Sequence, residues 1–173
     1  MQSFPAAPWS TLLKVASALS TLLLAGVSYA AWRAAPATGL AHAVGTAVAV
    51  VPIGVALSAL LFMVTGYEVD AQRLRVGRPL WATAFPLEGL SRAWKDPDVI
   101  KGSLRVVGNG GLFSFSGLFW SRRLGRYRLY ATDLKRAVVL VTPERILVVT
   151  PADPDEFLRH IQMLLPGVQG RVG

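Results

Sequence analysis

VASALSTLLLAGVSYAAW at residues 15–32 and LAHAVGTAVAVVPIGVALSALLFMV at residues 40–64 contain no aspartate, glutamate, lysine or arginine. Wound as helices at about 1.5 Å per residue, they reach roughly 27 Å and roughly 37 Å, against a bilayer hydrocarbon core of roughly 30 Å. Each is long enough to span. Only residues 33–39, RAAPATG, lie between them, so the helices return antiparallel and both chain ends face the same side. A soluble reading fails on size, because too little chain remains to surround two helices that are apolar on every side. A signal peptide is the other rival, since residues 27–31, VSYAA, loosely match a small-residue cleavage site. Against it, the run is preceded by a single cation, Lys14, with Pro5, Pro8 and Trp9, and a second apolar span follows at once.

The flanking charges set an expected orientation. Arg33 is the only cation of the loop, whereas Arg73, Arg75 and Arg78 follow the second span and Lys14 opens the first. The positive-inside tendency then places the loop outside and both termini in the cytoplasm, as in a multi-pass protein of the cytoplasmic membrane. Trp9 and Trp32 lie near opposite ends of the first span, where indole rings favour the headgroup zone. Pro52 cannot donate its backbone hydrogen bond, which together with Gly54 predicts a kink or tilt in the second span. Gly26, Ala30 and Ala31 on the first span, with Gly45, Ala49 and Ala56 on the second, allow close helix contact.

Every acidic residue falls after Thr65, together with nearly all the basic ones, and the chain carries a net charge of +8. Three segments follow: a helical hairpin over residues 1–65, a separate small domain over 66–166, and a tail over 167–173. The absence of cysteine excludes a disulfide framework, a thiolate metal site and thiol redox chemistry.

Within the second segment the period is two. Tyr67 and Val69, then Leu74 and Val76, flank the polar Asp70-Ala71-Gln72 link and read as a hairpin, and residues 103–107 alternate with Leu104 and Val106 on one face. Gly108-Asn109-Gly110-Gly111 is a tight-turn signal, since Asn-Gly supplies the positive backbone angles of a two-residue hairpin. Residues 112–120 resume strand character, with Phe113 and Phe115 on one side, Ser114 and Ser116 on the other, and a bulge or bend expected at Gly117. Further strands are predicted at 127–132, 136–142 and 145–150, a spacing that suggests antiparallel strands in a barrel or sandwich. The period then changes. Asp153 as cap, Pro154 in the first turn and Glu156 three residues after the cap begin a helix whose stripe is Phe157, Ile161 and Leu164, joined by Leu158 and Leu165. Pro166-Gly167 ends it, and one apolar stripe suits a plug for the open end of a small barrel.

Two N-terminal spans, a strand meander containing VGNGG at 107–111 and FSGLF at 115–119, LYAT at 129–132, a Val-rich strand, and VTPADPDEF at 149–157 together resemble the bacterial pleckstrin-homology-like (PH) family, in its membrane-anchored form. The resemblance covers roughly residues 66–165. It implies a strongly bent sheet of about seven strands closed at one end by the C-terminal helix, and a scaffold or binding module at the membrane. It supplies no catalytic residue.

The densest charge feature is Arg122, Arg123, Arg126, Arg128, Lys135 and Arg136, opposed within that window by Asp133 alone. Strand alternation puts Arg126, Arg128 and Tyr130 on one face and Tyr127 and Leu129 on the other. Near an anionic leaflet each cation contributes about 1 kcal/mol. The same residues also fit a solvated strand edge, where cations discourage unwanted pairing, and both readings stand. Nucleic acid finds little support, because helix-turn-helix, zinc-finger and RNA-binding aromatic signatures are all missing. The phosphoinositide pocket of eukaryotic pleckstrin domains uses a basic loop between the first two strands, which here is only residues 70–73.

Other motifs carry less. Gly108-Asn109-Gly110-Gly111 lacks the Gly-Lys-Ser or Gly-Lys-Thr ending of a nucleotide loop. Of Phe119 and Trp120, one is expected to point outward and mark a contact surface. His42 reads as an interfacial imidazole with no relay partner, His160 stands on the polar side of the last helix, and neither belongs to a metal set. Asp96-Pro97-Asp98 is turn chemistry. The sequence therefore predicts a non-catalytic module that contacts the lipid bilayer and a protein partner. It predicts no nucleic acid, cofactor, metal or small-molecule substrate. The alternative is a structural subunit of a larger membrane complex.

Overall fold

The computed structural model describes residues 1–171. A strand β1 (Gln2–Pro5) comes first, then two helices, α1 (Thr11–Ala34) and α2 (Gly39–Leu61), each long and apolar enough to cross a membrane. Ser10 starts α1 by accepting a hydrogen bond from the Leu13 amide at 3.2 Å. The helices return on each other across residues 35–38, and His42 Nδ1 lies 2.8 Å from the Pro36 carbonyl at that bend. Along α1 the less exposed positions are Leu13, Ala16, Ser17, Ser20, Leu24, Ser28 and Ala31; along α2 they are Gly45, Ala49, Pro52, Ala56 and Ala59. Both series recur at about helical spacing; at the start of α1, Leu13 and Ser17 face the β domain, and farther along the two helices pack on each other. Gly26, expected in that seam, has open space beside it, and α2 runs through Pro52 as one helix.

Nine short strands then lead to the last helix: β2 (Gly66–Val69), β3 (Arg73–Gly77), β4 (Ala82–Pro86), β5 (Arg92–Lys95), β6 (Leu104–Gly110), β7 (Phe115–Ser121), β8 (Gly125–Ala131), β9 (Val138–Val141) and β10 (Ile146–Val149). A 3-10 turn, Leu134–Arg136, sits between β8 and β9; α3 (Pro154–Leu164) and β11 (Gln169–Arg171) complete the fold. The strands make two sheets, β1-β2-β3-β4 and β11-β5-β9-β10-β8-β7-β6, without closing into a barrel. The expected hairpin is present, with Tyr67 opposite Val76 and Val69 opposite Leu74.

The pairing is not wholly antiparallel. After β8 the chain skips one place to form β9, and β10 turns back into the gap, so β10 runs parallel to β8 and antiparallel to β9. β11, which lies in what sequence reads as a tail, adds parallel to β5. β1 pairs antiparallel with β2, from Gln2 opposite Val69 to Pro5 opposite Gly66. The helical hairpin is thus inserted between two neighbouring strands of one sheet, which puts residues before and after it on the same side.

Two cores form because each strand of the larger sheet alternates. Tyr130, Val138, Leu140, Leu147 and Val149 face the smaller sheet and α3, where they meet Phe4, Tyr67, Leu74, Phe85 and Phe157. Tyr127, Leu129, Val139 and Val148 face the other way and meet Leu13 of α1, Val99, Phe115 and Phe119. Asp153 caps α3, its carboxylate accepting from the Asp155 and Glu156 amides at 3.0 and 2.9 Å. Phe157, Leu158 and Ile161 of the predicted stripe are wholly buried; full burial of such a side chain contributes about 1.5–3 kcal/mol.

The β6–β7 turn falls later than the Asn-Gly signal indicates. Asn109 pairs with Ser116 and Gly110 with Phe115, so both belong to the ladder, and the turn is residues 111–114. Asn109 shapes the turn through its side chain instead, accepting from the Gly111 and Leu112 amides at 3.2 and 2.9 Å. Phe113 takes the left-handed conformation, φ 67°, beside Trp9 at 6.1 Å between ring centres. Gly117 faces Gly108 with φ of 142° and 127°, while the register shift lies on the partner strand between Arg105 and Val107. A Cβ at either glycine would overlap the opposite strand's backbone.

Candidate binding cleft beside the second helix

Phe62 is the C-cap of α2, and the last carbonyls of the helix need donors. Arg78, in the β3–β4 turn, supplies one: Nη1 donates to the Phe62 carbonyl and Nε donates to Thr83 Oγ1 at 3.2 Å. A guanidinium at a helix C-terminus also meets the negative end of the helix dipole. Its plane lies over two rings, Phe62 at 5.3 Å and Tyr130 at 5.5 Å. Tyr130 in turn contacts Phe85 at 5.3 Å, and Arg128 sits over Phe85 at 5.8 Å. Cations and rings therefore alternate from the end of α2 across the face of β8.

The β6–β7 hairpin closes the other side. Its tip is fastened to α1, since Ser17 Oγ donates to the Gly111 carbonyl at 3.0 Å and accepts from the Phe113 amide at 2.9 Å. Between this hairpin and α2 lies a cleft of about 520 Å³, reached by Val55, Ala59 and Phe62 from the helix and by Arg78 and Arg105 from the sheets. Gly108, Gly110 and Gly117 form part of its lining, and the Arg105 guanidinium lies across Gly110, where a Cβ would collide with it. Burial pulls the Arg78 guanidinium below its ordinary pKa.

The six basic residues singled out by sequence separate in kind. Arg126 and Arg128 are exposed on the same face of β8 as Tyr130, as alternation predicts, and with Glu144 and Arg145 they line a shallow cleft of about 270 Å³. Arg123 is paired with Asp96 at 2.8 Å. Arg136 lies 3.8 Å from Asp133 and donates to the Ala152 carbonyl. Arg122 and Lys135 are exposed and, among the described residues, hold no ion pair. Arg78, Arg105 and Arg145 fall outside that charge window. The legible signal for Arg105 was a lone cation in an otherwise apolar strand, LRVV at 104–107.

The aromatic pair divides as expected: Phe119 is buried against Tyr127 at 5.9 Å, and Trp120 is 38% exposed. His160, expected on a polar side, instead lies beside Phe4 at 5.5 Å with its Nε2 buried, because β1 covers that side of α3.

Residues 65–164 match the family described as Bacterial PH domain, a region that begins just before β2 and ends with α3. The chain belongs to the bacterial PH domain family. Neither the curated proteins nor the solved structures include a match to it. In this bacterial PH domain the β2–β3 link is closed by its own acid, since Asp70 Oδ1 accepts from the Gln72 and Arg73 amides at 2.8 Å each. Those bonds hold the Asp70 carboxyl below the usual carboxylate range. Arg78, Arg105, Arg126 and Arg128 hold no carboxylate partner among the described residues.

Proposed function

We propose that the protein is a non-catalytic, membrane-anchored binding module, held in the cytoplasmic membrane by both helices with both termini in the cytoplasm. Its PH domain takes a segment of a protein partner, in extended form, along strand β6. The observation that carries this is an open apolar edge: β6 ends the larger sheet, and Leu104, Val106 and Val107 are 65%, 51% and 68% exposed. An edge strand offers unpaired amides and carbonyls, and adding a strand there joins main-chain hydrogen bonds to side-chain pockets. Trp120, opposite Leu104, extends the apolar surface. The exposed cations Arg122, Arg126, Arg128 and Lys135 supply attraction to an anionic membrane surface, about 1 kcal/mol each where they approach it. Family membership supports binding over chemistry.

The test is a photo-crosslinking residue placed at Val107 in the full chain in its native membrane, with Met163 and Val51 as comparison positions. A discrete protein adduct at Val107 that disappears in Val106→Asp, with none at Met163, is the expected result. Adducts confined to Val51 on α2 would replace this reading with the other one, a structural subunit whose helices pack in a larger complex.

A further inference from the structure

We infer that the cleft between α2 and the β6–β7 hairpin holds one phospholipid of the membrane that the helices cross, with Arg78 and Arg105 on its phosphate and an acyl chain along Val55 and Ala59. This rests on the helices spanning a membrane and not on the β6 edge.

Two guanidinium groups reach the same cleft, and among the described residues neither is paired with a carboxylate. Arg78 is the less exposed of the two and has lost part of its water without gaining an anion, a state that a bound phosphate relieves. The apolar wall is α2 itself, whose outward neighbours Val51 and Val55 are 62% and 49% exposed. Val55 and the capping Phe62 are seven positions apart, roughly 10 Å at the α-helical rise, so the cleft passes from cationic to apolar along α2 in the order of a phospholipid. At the cationic end Trp81 stands edge-on to Phe62 at 5.0 Å, and Leu80 is 75% exposed. That pair suits the headgroup zone, where indole rings concentrate. Gly108, Gly110 and Gly117 project no side chains into the space. A soluble anion would use the arginines and leave the Val55 and Ala59 wall uncovered; a phospholipid covers both.

The full chain, placed in nanodiscs of phosphatidylcholine containing phosphatidylglycerol and then released in mild detergent, is weighed by native mass spectrometry. One phosphatidylglycerol retained per chain is expected. Arg105→Gln removes a charge-assisted contact and Ser58→Phe fills the cleft, and each is expected to lower retention about tenfold or more. Arg159→Gln, the same charge change at an exposed arginine of α3 outside the cleft, leaves retention unchanged. Wild-type retention in both Arg105→Gln and Ser58→Phe overturns the site, as does equal loss in Arg159→Gln. Displacement of the lipid by inorganic phosphate overturns the lipid assignment in favour of a soluble anion. Arg105 is exposed, so Arg105→Gln decides the matter if Ser58→Phe fails to fold.

Discussion

Tyr67 and Thr150 lock the two sheets together: the Thr150 amide donates to the Tyr67 hydroxyl at 3.1 Å, and that hydroxyl donates to the Tyr130 carbonyl at 2.7 Å. The Thr150 hydroxyl accepts from the Thr132 amide at 3.0 Å, and the Thr132 hydroxyl donates to the Ala7 carbonyl at 2.6 Å. The Ala7 amide donates back to the Thr150 carbonyl at 2.9 Å. Ala7 precedes the helical hairpin and Tyr67 follows it, so both ends of the hairpin are tied into one buried polar knot. A fully satisfied network of this kind fixes a single geometry, which sets the helices against the domain.

Tyr67→Phe leaves the Thr150 amide and the Tyr130 carbonyl short of a partner, a loss of about 1–3 kcal/mol. The Tm of the full chain in detergent is expected to fall. Burial also pushes the Tyr67 phenol from its ordinary 10.0 up to about 12. Above pH 10 the unfolded chain gives up this proton while the folded chain keeps it. Stability from the raised pKa is therefore fully present below pH 10 and is lost as pH rises towards about 12. Unfolding measured across that window should show the gap between wild type and Tyr67→Phe shrinking; a constant gap would mean that Tyr67 ionises freely in the fold.

Phe4 is 3% exposed and meets Phe157 edge-on at 5.1 Å. Phe4→Ala is expected to cost about 3–5 kcal/mol. Although the substitution lies ahead of both helices, it should destabilise the PH domain itself, read as earlier loss of the near-UV aromatic signal on heating. A wild-type melting curve would show that β1 is dispensable.

The helices, the β2–β3 hairpin, the two-faced β8 and the cap of α3 were legible because each rests on a local period or a local hydrogen bond. β1 and β11 were not. Gln2–Pro5 has only Phe4 as a signal, and its partner strand lies beyond the whole helical hairpin. The parallel placing of β10 beside β8 is likewise a matter of chain path, since neither strand's alternation encodes its neighbour. For the cleft, the charge window pointed to neither Arg78 nor Arg105. Arg78 acquires its setting from Phe62 and Tyr130, residues 16 and 52 positions away in the chain.

Asp153 caps α3, and the Glu156 and Asp155 amides that it accepts hold its carboxyl below the ordinary range. A depressed carboxyl contributes stability above its unfolded value, lost as pH falls through the folded one. Asp153→Ala should fray α3 at neutral pH, whereas Asp153→Asn keeps a capping oxygen and should lose only the acid-dependent part. Hydrogen exchange at the Glu156 amide follows both variants. Equal exchange in wild type and Asp153→Ala at neutral pH would remove the cap from the account.

Ser17 carries the only side-chain hydrogen bonds, among the described residues, between α1 and the β6–β7 turn, donating to the Gly111 carbonyl at 3.0 Å and accepting from the Phe113 amide at 2.9 Å. Ser17→Ala breaks both, a loss of about 1–3 kcal/mol and hence roughly fivefold to a hundredfold faster exchange of the Phe113 amide if that amide exchanges by local opening. Ser17→Thr keeps the hydroxyl and should keep most of the protection. Amides in β8 and β10 belong to the sheet ladder and should not respond to either change. The competing support is Asn109, whose side chain binds the Gly111 and Leu112 amides from within the hairpin. Unchanged exchange at Phe113 in Ser17→Ala would assign the turn to Asn109 alone, and the hairpin would then stand without its anchor on the helix.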